Sequence, residues 1–182
     1  MSQAPIAPFP FDPALAVRFV DACWFSHDGQ WFLKVKDRFG LEAAMELNEA
    51  AVHAMAKIEA RRILELTGMG EVSDCIGFAR FFQTFLALRR VPPDEGWHFL
   101  SVTPDHLDMA ASRCFIADMA TRAKMDGMGV GNFPGCRGVR SRIRGWGLIL
   151  SSRFDFIDEE RPGDPGSGIV CYHRISRVRR GS

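Results

Sequence analysis

Very little separates the acidic and basic residues of this sequence: Lys and Arg total 23, Asp and Glu 22, and the formal net charge is +1. A chain so balanced has no whole-molecule field to gather nucleic acid, and none is expected as a partner. Also missing is any apolar run near the roughly 20 residues that cross a bilayer, so no membrane association is expected. Residues 1–13 lack a basic region followed by an apolar core, which argues against a secretory signal. The five cysteines, Cys23, Cys75, Cys114, Cys136 and Cys171, are odd in number, widely spread and without a CxxC pair. That excludes a secreted disulfide framework, and the cytoplasm is the expected location. What is present is an ordinary globular balance, 47% hydrophobic and 25% charged over 182 residues, enough for one domain with a full core.

The order of elements follows from caps, breakers and periodicity. Residues 1–11 are proline-rich and read as an arm. Asp12 before Pro13 is a helix start, because the carboxylate can cap and a proline at the first helical position loses nothing. The pattern predicts a helix toward Phe39 with Gly40 ending it. A second helix reads from Leu41 to Thr67, closed by Gly68, and a third from about Ser73 to Arg90, closed by Pro92-Pro93. After Gly96 the character changes. Trp97–Thr103 and Leu107–Cys114 read as strands joined at Pro104-Asp105. A helix starting near Cys136 buries Val139, Ile143, Trp146 and Leu150. Phe154–Glu159 and Ile169–Val178 read as two further strands. The prediction is a single α+β domain over residues 12–178 with a basic tail at 179–182. Three N-terminal helices precede a β-β-α-β-β unit, and a four-stranded antiparallel sheet carries helices on one face.

Polar residues on apolar stripes are the first candidates for chemistry. On the second helix Leu41, Met45, Asn48, Val52, Met55, Glu59, Ile63 and Leu66 fall near one line, broken only by Asn48 and Glu59. A carboxylate on a core-facing stripe is costly unless paired, hydrogen-bonded or facing a wet cavity. Glu59 is therefore either half of a structural ion pair or a pocket-lining acid or base. On the first helix Val17, Val20, Trp24, Asp28, Trp31 and Val35 share a stripe, with His27 beside it. His27, Asp28 and Glu59 would suit proton transfer if they converge. Either His27 or Asp28, or an arginine, is the expected partner of Glu59. Asp28-Gly29 can equally be a turn that splits the helix.

Cys136 is the leading nucleophile candidate, since a helix start and the adjacent Arg137 and Arg140 favour thiolate. The plainer alternative is a small buried residue after a Pro-Gly turn. Arg137, Arg140 and Arg144 are placed on the solvent side of this helix, where they form either a solvated face or a site for a carboxylate or phosphate. Cys114, Cys171 and His173 lack the short paired spacing of a structural zinc site, so no metal site is expected, and no cofactor follows from the sequence.

Several segments together carry a family resemblance. They are His27-Asp28-Gly29-Gln30-Trp31-Phe32, Phe39-Gly40-Leu41-Glu42-Ala43 and Lys57-Ile58-Glu59-Ala60-Arg61-Arg62. Cys114, Gly129 through Phe133-Pro134 to Cys136, and Cys171 in the last strand add to them. Over residues 20–176 the chain resembles a bacterial family labelled L-2-amino-thiazoline-4-carboxylic acid hydrolase-like. The element order also resembles the ligand-binding domains named after four-vinyl reductase, which bind small molecules and often dimerise. The first resemblance implies a hydrolase of a carboxylated heterocycle. Asp28 and Glu59 would then handle protons, Cys136 would attack, and His27, Trp31, Asn48, Arg137 and Arg140 would hold the ligand. The second implies a non-catalytic ligand-binding or sensory module, with a homodimer as a compatible state. A third reading is an interaction protein whose interior is plain core.

Overall fold

The computed structural model describes residues 12–89, 96–112 and 134–181. Among these it is an α+β protein. Its elements are α1 (Pro13–Phe39), α2 (Leu41–Thr67), α3 (Cys75–Leu88), β1 (Trp97–Val102), β2 (His106–Ala111), α4 (Pro134–Leu150), β3 (Phe154–Pro162) and β4 (Cys171–Arg179). No helix of the described residues is long and apolar enough to cross a membrane.

The chain divides into two compact units, Met1–Ala44 and Met45–Ser182. The first is built on α1. Asp12 accepts a hydrogen bond from the Ala14 amide and Pro13 opens the helix, as the sequence predicts. Asp28-Gly29 does not split it. The intended core stripe is instead open: Val17, Val20, Trp24 and Trp31 are all exposed, as is Asp28, and Val35 is half-buried. Gly40 ends α1 at φ 87°, in the left-handed region that favours glycine, which lets α2 begin at once.

The second unit contains the sheet and the main core. Four antiparallel strands run in the order β1-β2-β4-β3. The registers Leu107↔Ile175, Met109↔His173 and Asp158↔Ile175 put these residues on one face. That face is covered by α3 and α4. Trp146 from α4 is fully buried among Phe78, Phe81, Phe82 and Phe85 of α3, with ring centroids 4.9–6.3 Å apart. Ile143 and Leu150 are buried beside it, and Val139 packs at the edge of this core. The opposite face carries the Asp108–Arg174 pair, a bidentate contact at 2.7 and 3.0 Å.

Helix α4 is wedged between α2, α3 and β3, and its glycines show how closely. A Cβ on Gly145 would lie 2.6 Å from the His53 carbonyl oxygen and 2.8 Å from Ala56 Cβ, both on α2. Overpacking of this kind costs about 1–3 kcal/mol, against about 1 kcal/mol of helix propensity recovered on replacing Gly by Ala. The net loss is up to about 2 kcal/mol, so Gly145→Ala is expected to lower the melting temperature by up to about 8 °C. Gly138→Ala is the control, because its Cβ meets nothing nearer than 3.7 Å. A melt in which both variants match the parent would show that α2 and α4 do not approach this closely.

Candidate functional site

The residues singled out by the stripes separate into different surroundings. His27 and Asp28 pair with each other at 3.5 Å, both largely exposed on α1. Trp31 is also exposed. Glu59 faces inward, as the broken stripe predicts, and its partners come from α4. Trp146 Nε1 donates to its carboxylate at 3.2 Å, and Arg142 Nε lies 3.4 Å away. Of the readings open for Glu59, the structural pair describes these contacts. It ties α2 to the core tryptophan.

Helix α4 corrects the placement of its arginines. Arg137 pairs with Glu49 of α2, and Arg140 lies 3.4 Å from Glu160 of β3. Neither stands on a free solvent face, because α4 has neighbours on more than one side; Arg144 alone of the three is exposed. Asn48 sits against Gly138 in the contact between α2 and α4. Cys136 lies in the first helical turn, half-buried. Cys114 falls outside the described residues.

A polar cluster lies elsewhere, on the helix-covered face of the sheet. Strand β3 contributes Asp158 and Glu160, and β4 contributes Cys171 and His173. Each pair is spaced by two, so each projects to one face. The register Glu160↔His173 sets the two strands side by side. The side chains of Asp158, His173 and Glu160 are 0%, 3% and 4% exposed. The Asp158 carboxylate accepts from His173 Nδ1, with its oxygens at 2.9 and 3.0 Å. On the other side of the ring, Nε2 lies 3.4 Å from Cys171 Sγ. Trp97 packs on the ring with centroids 4.9 Å apart.

This is a thiol, an imidazole and an orienting carboxylate in series. The series has the mutual geometry that nucleophilic sites require. Glu160 adds a fourth group. Burial pushes its carboxyl above the ordinary carboxylate range, with Arg140 opposing that shift and Asp158 reinforcing it. A cleft of about 500 Å³ opens on the other face of the sheet, where Asp108, Tyr172 and Arg174 line it. It reaches the two strands at Glu160 and His173, while Cys171 and Asp158 do not line it.

By contrast, Cys75 is a core thiol. It is fully buried, and burial pushes its pKa up to about 11. The sequence signal for the cluster was polar alternation, Asp158-x-Glu160 and Cys171-x-His173, within strands whose other alternate positions are Phe156 and Ile175.

Residues 13–89 match a family model described as a family of unknown function (DUF6125). The match covers α1, α2 and α3 and stops before the sheet that carries the polar cluster. No curated protein matches the chain.

Proposed function

We propose that the chain binds a small, carboxylated molecule beside the polar cluster and hydrolyses it through Cys171. The observation that carries this reading is the series Cys171–His173–Asp158, buried and continuous within hydrogen-bonding reach. Asp158 fixes the ring and supports positive charge on it. The proton between Sγ and Nε2 can then sit on nitrogen, leaving sulfur as the attacking atom. Arg140, on the Glu160 side, supplies a cation for the ligand carboxylate. In this reading the catalytic thiol is Cys171, where the sequence pointed to Cys136, and the proton-handling pair is His173 and Asp158, where it pointed to Asp28 and Glu59.

The resemblance to the L-2-amino-thiazoline-4-carboxylic acid hydrolase-like family supplies the test substrate. Net addition of water across the ring C–S bond of that compound leaves a urea and a new thiol. Turnover is therefore followed by thiol titration of the protein-free filtrate. Cys171→Ser is expected to lower the rate by at least 10³-fold, and Cys136→Ser by less than threefold. Equal activity of Cys171→Ser and the parent would refute the assignment. An inactive parent that still binds the intact compound would favour the non-catalytic ligand-binding module, for which the cleft lined by Asp108, Tyr172 and Arg174 is the supporting observation.

A further inference from the structure

We propose that Asp158, Glu160 and His173 hold a divalent first-row metal ion, with zinc the expected occupant. One carboxylate oxygen from each acid and one ring nitrogen all lie within 4.8 Å of one another. Donors bound to zinc at about 2.0–2.2 Å lie no farther apart than about twice that distance, so small side-chain movements bring all three onto one ion.

Three further observations support the site. The first is Glu160 itself. Its side chain is 4% exposed, and both of its oxygens are buried without a hydrogen-bond partner among the described residues. Among the described residues the cation paired with it is Arg140, whose Nη2 stands 3.4 Å away, outside good charge-assisted hydrogen-bond distance. A buried carboxylate left in this state is costly, and a cation between it and its neighbours removes the cost.

The second is charge. Two carboxylates and a neutral imidazole match a dication, giving a neutral ligand set. The third is rigidity. All three donors stand on paired strands, Glu160 directly opposite His173, so the backbone holds them without a loop.

The donor chemistry narrows the ion. One imidazole with two carboxylates suits zinc, manganese, iron or cobalt. Calcium is disfavoured, because it takes six to eight oxygens. Three protein donors leave a coordination position for water or ligand, the arrangement of catalytic sites.

The inference goes beyond the hydrolytic reading and does not depend on it, since bound metal is counted directly while turnover is measured by product. The two are also compatible. His173 Nδ1 faces Asp158 and Nε2 faces Cys171, so an ion on the carboxylate side leaves the sulfur contact in place. In that state the dication, in place of a second ring proton, holds positive charge opposite the sulfur.

The test uses the full chain, stripped with chelator and dialysed against zinc. Elemental analysis by mass spectrometry is expected to find about one zinc per chain. Glu160→Gln and His173→Gln should each weaken zinc binding at least tenfold, the usual scale for loss of a ligand-shell group. Cys171→Ser should leave it unchanged. Far-ultraviolet circular dichroism checks that each variant is folded.

Cobalt in the unaltered chain keeps the test decisive even where a variant fails to fold. Visible d–d bands without a thiolate-to-cobalt charge-transfer band support the ligand set. A strong charge-transfer band, undiminished zinc binding in folded Glu160→Gln, or no bound zinc in the parent would overturn it.

Discussion

Replacing Trp146 by alanine is expected to remove about 3–5 kcal/mol of stability, the range for deleting a buried large aromatic side chain. Its indole is 1% exposed and touches four phenylalanine rings of α3. The same ring donates to Glu59, so truncation also strips a partner from a carboxylate only 17% exposed. Domains of this size are stabilised by about 5–15 kcal/mol in total, so the variant loses roughly a fifth or more of what holds it folded. A fall in melting temperature of about 6–20 °C follows. Trp146→Phe keeps most of the volume but not the N–H, and separates the two contributions. Urea denaturation of the three proteins measures both. A Trp146→Ala midpoint within error of the parent would mean that the tryptophan is not the centre of the core.

The second large effect is at Asp158. Removing one member of a buried, hydrogen-bonded pair costs about 1–3 kcal/mol, because the surviving group is left desolvated with that hydrogen bond unmade. Asp158 and His173 are such a pair, at 0% and 3% side-chain exposure. Asp158→Ala in metal-free protein is expected to lose that amount. Asp158→Asn should recover more than half of it, since an amide oxygen still accepts from Nδ1. Denaturant melts at neutral pH give the comparison. A loss below about 0.5 kcal/mol, the level of an ordinary surface substitution, would contradict the burial of this pair.

Much of the fold was legible because local chemistry and tertiary structure agree. Asp12-Pro13 starts α1 and Gly40 stops it. Gly68, at φ 67°, follows the last residue of α2. The antiparallel sheet followed from strands separated by turn residues. Boundaries drifted where strands extend beyond their apolar residues: β3 runs on to Pro162 because Glu160 and Arg161 are paired with β4.

The site was less legible, for two reasons. A helical stripe states which residues share a side, not what lies opposite, so the α1 stripe was read as core although its tryptophans are exposed. A carboxylate in a strand likewise looks solvated until its neighbour strand is known. The strand pattern alone assigns Asp158 and Glu160 no role, and it offers His173 only beside Cys114 and Cys171, without the spacing of a zinc site. Only the register with β4 turns three scattered polar residues into one buried group. The arginines of α4 were misplaced for a related reason. A helix with one neighbour has one buried side, and α4 has contacts with α2, α3 and β3.

The Asp158–His173 contact closes only 15 residues of chain, whereas the Trp146–Glu59 contact spans 87. Closing a longer loop costs more entropy, and distant pairings form later in folding. The polar group belongs to a single hairpin, while the aromatic core must gather helices from across the sequence. Assembly of the site and assembly of the core are therefore separable events. The donors of the site travel with one short supersecondary piece, while Arg140 of α4 and Trp97 of β1 reach it only when the rest of the unit has closed over that hairpin.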